Sequence, residues 1–265
     1  MSLIITTQPV AEPVSLSEMK LHLRVDHTTD DELIKSLIKA ARQWCEMYER
    51  RAYMLRTYQL KMDWFYDDLE LDFPPLISVG SITYTDTAGA SQTLAITVYD
   101  VVTEPMPGIV RLAYGQSWPT PRDDDDVVTI SYTAGFSTTF TTAYATNVLT
   151  VGNAIFADGD IVVVESDAGD LPSGLSVGTN YYVRDVSGST LKLALTSGGT
   201  AIDLADDGTG THYIALASTG LVPASVKAAI KLLVGHLYEN RENSTEINLD
   251  SIPFGIKSLL FERMF

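Results

Sequence analysis

The apolar residues of this chain change their period twice, and that change limits it to a mixed fold with helices near both ends and strands between. Leu33, Ile34, Leu37, Ile38, Ala41, Trp44, Cys45 and Tyr48 recur at spacings of three and four, the stripe of an amphipathic helix. Lys35, Lys39, Arg42, Glu46 and Glu49 fill its other side, and the pattern runs out near Arg51. Thr29-Asp-Asp-Glu32 ahead of it reads as a capping box, with acidic residues suited to the positive end of the helix dipole. Ser15-Leu-Ser-Glu18 is a second capping box and opens a short helix to about Leu23. From Tyr58 the period becomes two. Residues 58–62 and 77–84 alternate as half-buried strands do. Asp86-Thr-Ala-Gly89 reads as a hairpin turn into 92–96, and further short strands are expected at 99–102, 109–112 and 127–132. A small antiparallel sheet follows.

The composition then shifts. Residues 137–220 hold no Trp, Met or Cys and only two basic residues, Arg184 and Lys192. Strand-like runs at 148–151, 161–165, 181–186 and 190–195 are parted by turn residues, with no helical period among them. A separate all-β module is expected there. Helix returns at Pro223, placed as a first helical residue, with Val226, Ala229, Ile230, Leu233, Val234 and Leu237 as its stripe to about Arg241. Residues 242–250 are polar and without period. Residues 252–265 are apolar again, and a terminal segment of that kind calls for a partner surface.

Several function classes are excluded or disfavoured. The net charge of −16 provides no clustered cations to neutralise phosphates, so a nucleic-acid grip is not expected. A wall past which DNA slides remains compatible, as does charge that serves solubility alone. One cysteine, Cys45, excludes an internal disulfide framework and reads as a buried thiol. No apolar run approaches the roughly 18 residues of a membrane span, and no basic n-region of a signal peptide opens the chain. A cytoplasmic origin is expected. His22, His27, His212 and His236 are scattered, outside any zinc pattern. Asp123-Asp-Asp-Asp126 lacks the interleaving of a calcium loop, and for Asp158, Asp160, Asp167 and Asp170 turn chemistry, with Asp beside Gly at 158–160 and 169–170, explains the acids equally well. No catalytic, cofactor or metal residue is assigned, and no enzyme activity is expected.

The order of the flanking segments carries more. Pro-Val-Ser-Leu-Ser-Glu with Leu21-His-Leu-Arg-Val-Asp is followed by the acidic turn and by a helix ending Tyr48-Glu-Arg-Arg-Ala. Phe73-Pro-Pro-Leu-Ile-Ser-Val, Gly115-Gln-Ser-Trp-Pro and Val127-Thr-Ile-Ser-Tyr-Thr-Ala-Gly-Phe come next. Val222-Pro-Ala-Ser-Val-Lys-Ala-Ala-Ile and Ile252-Pro-Phe-Gly-Ile complete the series. In this order they resemble the phage head-tail connector (adaptor) family, over about two-thirds of the chain.

That resemblance implies an α+β fold: a small helical bundle from the N- and C-terminal helices plus a small antiparallel sheet. Residues 1–136 and 221–265 would form this connector core, with 137–220 as an inserted all-β module. It implies a ring of copies, generally dodecameric, in the virion neck, joined to the portal protein on one side and to a tail or stopper protein on the other. DNA would pass only as cargo, no membrane would take part, and assembly would occur in the host cytoplasm. Portal binding falls to the C-terminal segment, through Ile252, Pro253, Phe254, Ile256, Leu259, Leu260, Phe261 and Phe265. Arg50, Arg51 and Arg56 either balance a helix C-terminus or pair across subunits with Asp67, Asp68 and Glu70. The alternative function is a tail-associated module that binds a host surface or carbohydrate through its β-module, with Tyr181-Tyr182 as a stacking platform. In that strand, core packing is the competing use of the two rings.

Overall fold

The computed structural model describes residues 1–104, 106–240 and 254–261. In chain order these form β1 (Ser2–Thr7), α1 (Leu16–Leu23), α2 (Asp31–Glu49), β2 (Arg56–Met62), β3 (Leu69–Glu70), β4 (Leu76–Thr85) and β5 (Ser91–Thr93). Then come β6 (Tyr99–Val102), β7 (Ile109–Leu112), β8 (Val128–Ala134), β9 (Ser137–Ala143), β10 (Val148–Val151) and β11 (Ile161–Asp167). The chain continues through β12 (Tyr181–Ser187), β13 (Thr190–Ala194), β14 (Thr211–Leu216), α3 (Ala224–Glu239) and α4 (Phe254–Phe261). The fold class is α+β as expected, with the terminal helices bundled, an antiparallel sheet and an all-β segment. The chain divides into two compact units, one of residues 1–9 and 50–135, the other of 10–49 and 136–265.

The first unit is a five-stranded antiparallel sheet in the order β1-β2-β8-β4-β5, with a three-stranded sheet β3-β7-β6. Strict alternation in β2 and β8 puts Tyr58, Leu60, Met62, Val128, Ile130 and Tyr132 on the buried face, as period two requires. Tyr58 lies directly across from Tyr132, their rings stacked at 5.2 Å, with Phe73 stacked on Tyr58 at 5.6 Å. Such cross-strand aromatic pairs hold register as well as area. The Tyr132 hydroxyl donates to the carbonyl of Asp72 at 2.9 Å, and burial pushes its pKa up. The Asp86 turn forms as expected: its carboxylate accepts from the backbone N–H groups of Ala88 and Ala90, and Gly89 takes φ +86°, a conformation that favours glycine. Ile96 is not in the strand expected over 92–96. It falls in a 3₁₀ turn and is exposed, because β5 ends at Thr93.

The second unit joins helices to a barrel. Strands β10-β13-β12-β11-β14-β9 close on themselves, β9 pairing with both β10 and β14. Its interior is filled by Phe140, Leu149, Val162, Val164, Tyr181, Val183, Leu193 and Ile214, so the barrel is a packed core. Strands β9 and β14, which complete the closure, lay outside the expected strand list, as did β1. Ser15 caps α1, its hydroxyl accepting from the Glu18 N–H at 3.1 Å. The helix ends where Arg24 turns left-handed and the Val25 N–H returns to the Lys20 carbonyl, a glycine-free Schellman-type stop. α3 begins one residue later than expected: Pro223 is extended (ψ 145°) and stands at the N-cap rather than in the first turn. Ile34, Ile38, Ala41 and Cys45 of α2 are buried with Val226, Ala229, Ile230, Leu233 and Val234 of α3.

Arg42 and Glu46 depart from the sequence reading, which placed them on the solvent side of α2. They are 1% and 2% exposed. With Ile34 and Ile38 they form one i, i+4 row, so the buried stripe of the helix continues through two charges. Arg42 Nη1 bonds Glu46 Oε2 at 2.7 Å, while Nε and Nη2 reach the two oxygens of Glu12 at 2.5 and 3.2 Å. Burial alone would lower the pKa of the guanidinium; the Glu12 and Glu46 carboxylates outweigh it and hold it above its ordinary value.

Candidate functional site

Within the second unit the helices are fastened to the barrel by a cluster of charges. Asp167, at the end of β11, is buried, and its Oδ2 accepts from the Ser15 N–H at 2.9 Å. In a reciprocal capping box that N–H would belong to Glu18. Here Glu18 instead accepts from Lys231 of α3 at 2.6 Å and faces the Asp167 carboxyl. Burial, and then that neighbouring carboxyl, push the Glu18 pKa up against the pull of Lys231. One turn earlier on α3, Lys227 pairs with Glu165 of β11 and lies 5.2 Å from the centre of the Tyr213 ring. Tyr213 of β14 donates its hydroxyl to the Glu12 carbonyl at 2.8 Å, and burial followed by the nearby carboxylates raises its pKa. Gly210, at φ +85°, lets the preceding turn lie against this strand end: a Cβ there would stand 2.4 Å from the Asp167 carbonyl, a contact that only glycine accommodates. These are locking interactions. They hold α1 and α3 to strands β11 and β14.

The residues assigned to assembly in the sequence are placed as follows. Ile256 and Leu260 of α4 are buried, one turn apart, where α4 packs against α3 and α2. Leu259 is half-buried. Phe254 and Phe261 bound the helix, and Ile252, Pro253 and Phe265 lie outside the described residues, as do 242–250. Arg50 takes up Asp72 of its own unit at 3.0 Å. Arg56 is buried in β2, Arg51 is half-buried, and Asp67, Asp68 and Glu70 are exposed.

Four of the acidic residues weighed as cation ligands act as backbone acceptors. Asp158 Oδ1 accepts from Val186 N–H, Asp160 Oδ2 from Ala157 N–H, Asp124 Oδ1 from Asp125 N–H, and Asp167 Oδ2 from Ser15 N–H. Among the described residues no group of three or more His, Cys, Asp or Glu is arranged to hold a metal, and no helix is long and apolar enough to cross a membrane. Tyr181 is 1% exposed in the barrel core and accepts from the Ser176 N–H, which takes it out of any stacking platform. Cys45 is buried, and burial with the nearby Glu49 and Glu46 pushes its pKa up to about 12.

Residues 13–72 match the sequence model of phage gp6-like head-tail connector proteins. The resemblance to the phage head-tail connector family read from the sequence is therefore borne out, in the segment that carries α1 and α2. The fold as a whole is similar to a chain in the virion of a native gene transfer agent particle, with TM-score 0.56, 18% identity, and coverage of 98% of this chain and 93% of that one. It is likewise similar to chains in the neck of the empty particle computed with C6 symmetry, with TM-score 0.56 and 17% identity. A chain in the neck of the native particle computed with C12 symmetry follows at TM-score 0.54 and 17% identity, the coverage again 98% and 93%. At 98% coverage the matched fold includes the barrel segment. No curated protein matches the sequence.

Proposed function

We propose that this chain is a structural connector subunit of a virion neck, which assembles as a ring beneath the portal, joins head to tail and lets DNA pass. One coincidence carries the reading. The segment matching the head-tail connector family carries α1 and α2 and runs on through β2 and β3, and the fold, barrel included, is similar to that of a neck chain. A ring arises when head-to-tail contacts close by rotation. The net charge of −16 per copy fits a channel that repels the phosphate backbone, and the inner wall is expected to carry more Asp and Glu than Lys and Arg. Virion neck, host cytoplasm during assembly, and portal and tail or stopper proteins as partners all follow from this reading.

The C-terminal segment remains the proposed portal contact, in a narrower form. Ile256 and Leu260 anchor α4 to its own subunit, so among the described side chains the proposed contact rests on half-buried Leu259. Leu259→Asp should lower portal binding while the melting temperature holds. For contacts between subunits the proposed set remains Arg50, Arg51 and Arg56 with Asp67, Asp68 and Glu70, of which Arg50 also bonds Asp72 of its own chain and Arg56 is buried. If neither Arg51→Glu nor Asp68→Lys weakens assembly, that pairing is wrong. The deciding experiment for the whole reading is native mass spectrometry with negative-stain imaging, alone and mixed with the portal protein. A ring in either sample is expected; a monomer indifferent to portal overturns the proposal.

A further inference from the structure

The five-stranded sheet of the first unit ends at one side on β1, and among the described residues no strand pairs with the outer edge of β1. Edge strands are normally blunted by charge, proline or covering elements. β1 reads Ser-Leu-Ile-Ile-Thr-Thr, without charge or proline, and Ile4 and Ile5 are 44% and 40% exposed. A bulge between Ile5 and Thr7 confines straight edge to 2–5. The other side of the sheet is incomplete in a matching way. β4 has ten residues, but β5 pairs with it only over Thr83–Thr85, with one more hydrogen bond from Leu94 N–H to the Ile82 carbonyl. Among the described residues no strand pairs with the outer edge of β4 before Ile82, where Ser78 and Gly80 are exposed.

We infer that β1 of one copy adds to the open half of β4 of the next, so that the sheets of neighbouring subunits run into one another around the ring. Strand directions agree with this. β1 and β8 are both antiparallel to β2, and β8 is antiparallel to β4. The β1 of a neighbour related by rotation about a ring axis along the strands therefore meets β4 antiparallel. The occupant is a second copy, because each chain supplies both unfilled edges of the same sheet and the contact is head-to-tail, the kind that closes rings. Main-chain hydrogen bonds would supply the affinity, as in strand addition generally.

This inference rests on the ring reading, and its test keeps the two apart. Cysteines are placed at Ile4 together with Ser78, or at Ile4 together with Ser81. Within one chain β1 and β4 are three strand spacings apart, roughly 14 Å, beyond the ~7 Å Cα limit for a disulfide; any crosslink is thus between copies. Mild oxidation of the protein, alone and mixed with portal, should give a ladder of covalent multimers for at least one pair and none for variants that carry only one of the two added cysteines beside buried Cys45. Ile4→Lys, on an exposed side chain, should raise the concentration needed for assembly up to about fivefold with an unchanged melting temperature. Rings that form without any crosslink, and that tolerate Ile4→Lys, overturn the strand addition and leave the ring reading intact. Failure of every variant and of the parent protein to assemble overturns both.

Discussion

The carboxylate of Asp167, on barrel strand β11, accepts a hydrogen bond from the backbone N–H of Ser15 at 2.9 Å, so the residue that caps the first helix is itself held by the barrel. Asp167→Ala removes the acceptor and leaves a part-buried N–H unsatisfied. A loss of about 1–3 kcal/mol is expected, read by urea unfolding, with Asp167→Asn retaining part of it. An unchanged stability in the alanine variant would mean that water replaces the carboxylate.

The same cluster sets a pH dependence. The Glu18 pKa is raised, by burial first and by Asp167 second, from an ordinary 4.5. A carboxyl that holds its proton more tightly when folded adds stability below its unfolded pKa, and that contribution is lost as pH rises through the folded value. Glu18→Gln cannot lose a proton, so relative to this variant the parent protein should weaken as pH climbs above about 4.5. Lys231 from α3 pulls the other way and moderates the effect. Parallel unfolding curves for the two proteins from pH 4 to 7.5 would contradict it.

Arg42 is the buried charge whose loss should be felt most. Arg42→Met strands Glu46, which is almost fully buried, and half-buried Glu12, and breaking such a pair from one side costs about 3–5 kcal/mol. Adding Glu46→Gln to Arg42→Met should recover part of that cost. A single mutant as stable as the parent would show that the carboxylates find protons or water without strain.

The Cys45 thiol should be silent. With its pKa pushed up to about 12 by burial, and thiolate the reactive form, alkylation by iodoacetamide at pH 8 should proceed only in denaturant. Prompt labelling of the native protein would show that α2 opens locally.

Replacing 137–220 by a short linker removes Asp167, Glu165 and Tyr213 together, leaving the Ser15 N–H, Lys227 and the Glu12 carbonyl without the contacts described above. The remaining chain is expected to unfold at least several degrees lower, consistent with three lost interactions of about 1 kcal/mol each. An unchanged melting temperature would make the barrel a passive insertion and support the domain division proposed from composition.

Local elements were legible because they depend on residues close in sequence. The Ser15 cap, the stripe from Ile34 to Cys45 and the alternation of β2 and β8 are periodic patterns that near-neighbour sterics impose. The turn at Asp86 needs only its own carboxylate and Gly89. The family resemblance rested on the same segments, and the family match at 13–72 lies where they are densest. Three things were decided by tertiary structure. The barrel closes through β9 against β14, some 70 residues apart, a pairing without a local signature. Glu18 turns to Lys231 rather than back to Ser15, because α3 brings an ammonium within 2.6 Å. Arg42 and Glu46 are buried because Glu12 supplies the second carboxylate, and no helical period shows whether a charged row will find its partner. Sequence determined what each segment becomes; packing decided which charges the interior would accept, since burial of a charge depends on partners that the chain brings from elsewhere.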